Sequence, residues 1–220
     1  MPRQARIVIP GLAHHITQRG NYQQKIFDDE HSYAQYSRWA NEYAKENNLD
    51  ILAYCLMSNH VHFVVIPKTE KALAAIFKIV HMRYAHYINR RKNLKGHLWQ
   101  GRFYSCVLSD THLYQVVRYV ENNPVRAKIV KHAWEYKWSS AVDHASERDK
   151  PLIHLSGYES IAQNDWKQYL KENDLEMNNE IRLKTNRGLA IGEAKFIKKL
   201  ERTLERSLDC LNQGRPRKKD

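Results

Sequence analysis

Two histidines, His60 and His62, stand two residues apart in the stretch MSNHVHFVV. On a strand this spacing puts both imidazoles on one face, while Val61 turns to the other. Two imidazoles so placed can share one divalent cation. The plainer alternative is one hydrogen-bonded polar residue beside an exposed one. Tyr119 and Asn123 form a second pair, four residues apart in RYVENNPVRA, so a helix would carry them on the same side. Asn123 precedes Pro124, where helical geometry is disfavoured, so its amide is expected to be free of the packed interior. An amide oxygen could complete a facial ligand set with the two histidines, leaving open positions for a phosphate oxygen and water. Taken alone, Tyr119 reads as an ordinary amphipathic tyrosine, one of 13 in the chain.

The elements that must position these residues follow from patterning. Ala5–Ile9 and Ala13–Gln18 read as short strands around Pro10-Gly11. Asp28-Asp29 precede a helix to about Asn47, with Tyr33, Tyr36, Ala40, Tyr43 and Ala44 on one stripe. Asp50–Met57 and Val61–Pro67 flank Ser58-Asn59 and read as neighbouring strands. A helix over Lys71–Arg91, a strand within Leu98–Leu108, and helices over Asp110–Asn122 and Val125–Val130 complete the core. The alternation lacks the long spacing of a doubly wound sheet. It predicts an α+β sandwich, with a mainly antiparallel sheet covered by helices. Composition changes near Asp143–Pro151. The expected division is a core domain over residues 1–145 and a helical, basic extension over 146–220, with an amphipathic helix near Ala194–Leu208 and a disordered tail ending in GRPRKK.

The 220 residues carry a formal net charge of +12, distributed unevenly. Residues 71–109 hold eight basic groups and no acid, and residues 181–220 hold twelve basic groups against five acidic ones. A surface charged in this way attracts polyanions, and the interleaved aromatics offer stacking faces for bases. Arg83, Arg90, Arg91, Lys92, Lys95 and Arg102 are the expected contacts to a DNA backbone. Arg215 and Arg217 in the tail would either reach an A·T-rich minor groove or, as part of a disordered basic tail, only strengthen the electrostatic attraction. Trp99 and Phe103 are read as core residues. A 42% hydrophobic fraction rules out wholesale disorder, and no apolar run reaches the roughly 20 residues that span a bilayer. Met1-Pro2-Arg3-Gln4 lacks the apolar core of a secretory signal. Three widely spaced cysteines, Cys55, Cys106 and Cys210, suit a reducing compartment. The expected location is cytoplasmic and nucleoid-associated, with no membrane partner.

The ordered set MSNHVHFVV, HLWQGRF, YVENNPVRA and Trp138-Ser139-Ser140 resembles the REP-associated tyrosine transposases, within the single-tyrosine HUH superfamily. The opening IPGLAHHITQRGN and the ending GRPRKK extend the likeness. It covers residues 5–142, with a looser match from Ile181 onward. The resemblance implies a ferredoxin-like core and cleavage of single-stranded DNA beside a hairpin. It assigns His60 and His62 to the paired metal ligands, Tyr119 to the nucleophile and Asn123 to the third ligand, which is Gln in related transposases. His15 matches a family histidine and is read as structural or close to substrate. Tyr114 lacks the four-residue step to Asn123.

The implied cofactor is Mg²⁺ or Mn²⁺, polarising the scissile phosphate. A phenol titrates near 10 and needs activation at neutral pH. Its attack would give a 5′-phosphotyrosine and a free 3′-hydroxyl. The implied partner is single-stranded DNA with palindromic hairpins. Relatives leave both a homodimer and a monomer open. Two other functions compete: a non-catalytic nucleic-acid-binding module, such as a domesticated transposase, and a metal phosphodiesterase that uses water. A denaturation-resistant adduct separates the first reading from the third, and metal dependence separates both from the second.

Overall fold

The computed structural model describes residues 5–145, 151–156 and 163–208. Five strands form one sheet in the order β2 (Leu49–Met57), β3 (His60–Pro67), β1 (His14–Arg19), β4 (Tyr104–Leu108), β5 (Ala190–Ile191). The first three junctions are antiparallel and β5 joins β4 in parallel. The helices are α1 (Glu30–Glu46), α2 (Ala72–Lys92), α3 (Asp110–Glu121), α4 (Asn123–Arg126), α5 (Ala141–Ala145), α6 (Gln163–Leu170), α7 (Leu175–Arg187) and α8 (Ala194–Leu204). Mixed α+β architecture with a mainly antiparallel sheet under helices is therefore the fold.

Period-two alternation divides the sheet into two faces. Val61, Phe63 and Val65 of β3, with Ile16 of β1, pack into a core that also holds Tyr36 and Ala40 of α1 and Phe77, Val80 and Tyr84 of α2. Val64 faces the opposite way, against Val116, Val117 and Val120 of α3, Trp166 of α6 and Ile181 of α7. His62, in step with Val64, shares that second face. The first core is dense in rings: Phe27 stacks on Tyr33 at 4.3 Å, and Tyr33 on Trp138 at 4.3 Å. Asp29 caps α1 by accepting from the Ser32 amide at 2.8 Å, an interaction worth about 1 kcal/mol.

Residues 5–9 are not a strand, and the helix expected over Val125–Val130 shortens to α4, because Lys128 turns left-handed at φ 56°. The described residues beyond 150 pack onto the same sheet. Trp166 is buried in the second core, and β5 pairs Ala190 with Val107. A two-residue strand leaves no periodicity to read. Trp166 Nε1 donates to Glu121 Oε2 at 2.8 Å, while Glu121 Oε1 accepts from the Ser140 hydroxyl and lies 2.5 Å from His144 Nδ1. This buried carboxyl joins α3, the Trp138-Ser139-Ser140 segment, α5 and α6. Among the described residues no helix is long and apolar enough to cross a membrane.

Candidate active site

Several elements converge on a cleft of about 680 Å³ on the second face. β3 contributes His60 and His62, β1 contributes His15 and Arg19, the α3–α4 junction contributes Tyr119, Asn123 and Arg126, and α7 contributes Arg182 and Thr185. The two histidine rings are 4.9 Å apart, and the His62 ring lies 6.0 Å from that of Tyr119. The sequence-derived quartet of His60, His62, Tyr119 and Asn123 therefore meets in one place.

Each histidine of the pair has one nitrogen occupied. His60 Nδ1 stands 2.6 Å from Asn59 Oδ1, an acceptor, so Nδ1 carries the proton and Nε2 keeps its lone pair. His62 Nδ1 stands 2.9 Å from His15 Nε2, and His15 Nδ1 stands 2.8 Å from the Thr185 hydroxyl. If protons run from His62 to His15 to Thr185, His62 Nε2 is also left bare. The reverse order would place a proton there and prevent ligation.

Burial holds the imidazoles neutral. His60 is lowered to about 3 by desolvation, reinforced by Arg19 and Arg126. His15 is lowered to about 3 by desolvation and Arg126, and His62 is held well below its ordinary value by desolvation and then by its histidine and arginine neighbours. Neutral imidazoles are the form that binds metal.

Asn123 departs from expectation. The residue is only 8% exposed, and its amide is not free of the interior. Nδ2 donates to the carbonyls of Tyr119 and Val120 at 3.2 and 3.0 Å, satisfying the end of α3, while Oδ1 accepts from Arg126 Nη2 at 2.8 Å. The helix ends there, but the chain turns directly into α4 and folds Arg126 back over the junction. Arg126 also donates to the Tyr119 carbonyl at 2.8 Å, and its guanidinium lies 4.0 Å from the centre of the Tyr119 ring. Burial lowers the Arg126 pKa, against the opposing pull of Tyr119.

The donor set fits a divalent cation in its chemistry. Two neutral imidazoles can offer Nε2, and the Asn123 oxygen has a second lone pair beside the one Arg126 engages. No cluster of three or more His, Cys, Asp or Glu side chains suited to a metal occurs among the described residues. Any ion here would rest on two histidines and an amide. Among the described residues the cleft is lined by Arg19, Arg126 and Arg182 and by no Asp or Glu, which suits an anionic ligand.

Sequence reasoning missed Arg19, Arg126, Arg182 and Thr185. Arg126 lies seven residues after Tyr119, two helical turns along the same side, a spacing that was open to reading. Arg182 and Thr185 come from α7, and nothing local ties α7 to the cleft. The basic residues expected to hold DNA lie elsewhere. Arg83, Arg90, Arg91 and Lys92 are on α2, in the layer across the sheet from His62, and Lys95 and Arg102 follow in the connection to β4. Arg91 is 2.7 Å from Asp29 and Lys92 is 2.7 Å from Asp28, while Arg83 sits over the Trp39 ring and donates to the Tyr43 hydroxyl. Arg215 and Arg217 lie outside the described residues. Tyr114 is 39% exposed beside Trp166 and does not line the cleft. Trp99 and Phe103 are packed against the first core.

Among solved structures, the chain is similar to a REP-associated tyrosine transposase bound to a REP hairpin, with a TM-score of 0.57 at 17% identity over 74% of this chain and 96% of that one. A transposase candidate from Deinococcus radiodurans R1 matches with a TM-score of 0.39 at 20% identity, covering 55% of this chain and 97% of that one. The first likeness supports the fold; the second is too distant to carry an argument. No curated protein matches the sequence significantly. Residues 9–123, just over half of the chain and the span from β1 to Asn123, match the family model described as IS200-like transposase. The chain therefore belongs to the IS200-like transposase family.

Proposed function

We propose that this transposase is a metal-dependent endonuclease and strand transferase of the HUH type, in the REP-associated branch, acting on single-stranded DNA beside a hairpin. The observation that carries the reading is the meeting of Tyr119, His60, His62 and Asn123 in one cleft with three arginines and, among the described residues, no Asp or Glu side chain. The structurally similar REP transposase is bound to a REP hairpin, which supports a hairpin-bearing substrate here.

His60, His62 and Asn123 would hold Mg²⁺ or Mn²⁺, whose chemistry when bound is to withdraw electron density from a phosphate oxygen. The protein's own residues do the rest. Arg19 and Arg182 attract and align the phosphate backbone, since a guanidinium matches a phosphate with two parallel donors. Arg126 fixes the Tyr119 backbone and faces its ring, so positive charge lies near the oxygen that must develop negative charge. The Tyr119 oxygen attacks phosphorus, forming the Tyr–O–P bond as the P–O3′ bond breaks. The phenolic proton passes to water, and the departing 3′ oxygen takes one from water. A 5′-phosphotyrosine and a free 3′-hydroxyl result, with no change in oxidation state. The bond energy kept in the ester allows a later hydroxyl to reverse the step on another strand.

The test uses the full chain with labelled single-stranded hairpin oligonucleotides, with and without Mg²⁺ or Mn²⁺. The expected product is a metal-dependent adduct that survives denaturation and vanishes in Tyr119→Phe, which retains DNA binding. Cleavage without an adduct would favour the water-using phosphodiesterase. Binding without cleavage under any metal would favour the non-catalytic module.

A further inference from the structure

Tyr22 is 92% exposed, the most exposed large hydrophobic side chain among the described residues. It lies in the short turn Asn21–Gln23, and both Tyr22 and Gln23 adopt left-handed backbone conformations, at φ 50° and 58°. A bulky residue rarely occupies this region, and two in succession are rarer still. Neighbours on both sides fix the turn. Asn21 N donates to Leu98 O at 2.8 Å, Gln24 N to Asn21 O at 3.0 Å, and Gly20 N to Asn59 O at 2.9 Å. Gly20 is required where it stands, because a Cβ there would meet the Gln24 carbonyl at 2.5 Å. The ring is thus held outward on a rigid, strained support, and such strain persists where surrounding structure over-determines it.

The support adjoins the cleft. Arg19, three residues before Tyr22, pairs with His60 across β1 and β3 and lines the cleft. The Asn59 side chain joins the two. Its Nδ2 donates to the Gln23 carbonyl at 3.3 Å, and its Oδ1 accepts from His60 Nδ1 at 2.6 Å. The exposed cations Arg19 and Lys25 flank the ring in sequence. An outward aromatic ring between cations is the arrangement that holds unpaired bases, the ring taking the base face and the cations the phosphates.

We infer that Tyr22 is a stacking platform for an unpaired nucleobase of the strand in the cleft, and that Asn59 ties this platform to His60. The inference rests on the reading of the cleft as a single-stranded DNA site. An unpaired base is favoured over a protein partner because exposed cations flank Tyr22 in sequence and the cleft beside it carries three arginines.

The test compares wild type, Tyr22→Asn and Tyr22→Phe on hairpin oligonucleotides with 2-aminopurine placed at successive unpaired positions. Asn tolerates the left-handed backbone, so the ring is removed without disturbing the turn. Tyr22→Asn should weaken DNA binding about 5- to 100-fold, and Tyr22→Phe should restore it. One 2-aminopurine position should be quenched by wild type and Tyr22→Phe but not by Tyr22→Asn. An abasic site at that position should abolish the difference between wild type and Tyr22→Asn. Equal affinities with no Tyr22-dependent quenching at any position would overturn the platform while leaving the DNA reading intact, and would point to a protein contact. Absence of DNA binding by the wild type would overturn both.

Discussion

His15 Nε2 lies 2.9 Å from His62 Nδ1, with the two rings nearly parallel at 7°. The pair joins β1 to β3 across the sheet, and the other ring nitrogen of His15 lies 2.8 Å from the Thr185 hydroxyl of α7. Under the proposed function His15 would act as a positioning residue, since its contact with Nδ1 sets whether His62 Nε2 is bare. Hydrogen-bonded partners of this kind are worth about 10- to 100-fold in metal affinity. His15→Phe should weaken Mn²⁺ binding, read by calorimetry or electron paramagnetic resonance, by that factor. His15→Gln, which keeps a polar partner, should recover part of it. Unchanged Mn²⁺ affinity in His15→Phe would remove His15 from this role.

Arg126 touches both candidate site residues of the α3–α4 junction, through the Tyr119 carbonyl and ring and through Asn123 Oδ1. Arg126→Lys keeps a charge but loses the planar fork. The rate of adduct formation should fall about 100-fold, in line with the loss of one preorganised charge-stabilising donor. Melting temperature and DNA affinity should change little by comparison. Single-turnover kinetics would reveal an effect on binding alone, which is the contrary outcome.

The Glu121–Trp166 bond ties the tyrosine helix to the C-terminal extension at a fully buried carboxyl. Trp166→Phe leaves Glu121 Oε2 without that donor, at a cost of about 1–3 kcal/mol. Urea denaturation should show a lowered midpoint with an unchanged slope.

His81 is buried against Tyr36 and lowered to about 3 by desolvation, and His14 is lowered to about 4 by the same cause. Both are neutral in the folded chain and gain protons in the unfolded chain below pH 6.5. Their contribution to stability is therefore complete above that pH. It is lost as pH falls towards the folded values, at about 1.4 kcal/mol per pH unit for each histidine. Denaturation at pH 7, 6 and 5 should show stability falling with acid. His81→Gln, which keeps an acceptor for the Tyr36 hydroxyl but does not titrate, should make the decline shallower.

Local patterns carried much of the fold. The alternation through HVHFVVIP and the stripe of α3 each specify a buried face on their own, and α1, β2, β3, α2 and α3 match the elements read from them to within a few residues. β5 and the shortened α4 were not legible. A two-residue strand has no period, and the turn at Lys128 depends on what surrounds it.

The candidate site divides in the same way. By itself the sequence determined that His60 and His62 share a strand face and that Tyr119 and Asn123 share a helix side, because both relations are short-range periodicities of the backbone. Only the tertiary structure decided that these two pairs meet, that Arg126 occupies the Asn123 oxygen, and that His15 and Thr185 brace His62. It also decided which cations enter the cleft: Arg19, Arg126 and Arg182 do, whereas the helix of the acid-free stretch lies across the sheet and spends part of its charge on Asp28 and Asp29. Charge counted along a chain carries no information about layer. That depends on which face each helix covers, and the face is set by packing between residues distant in sequence.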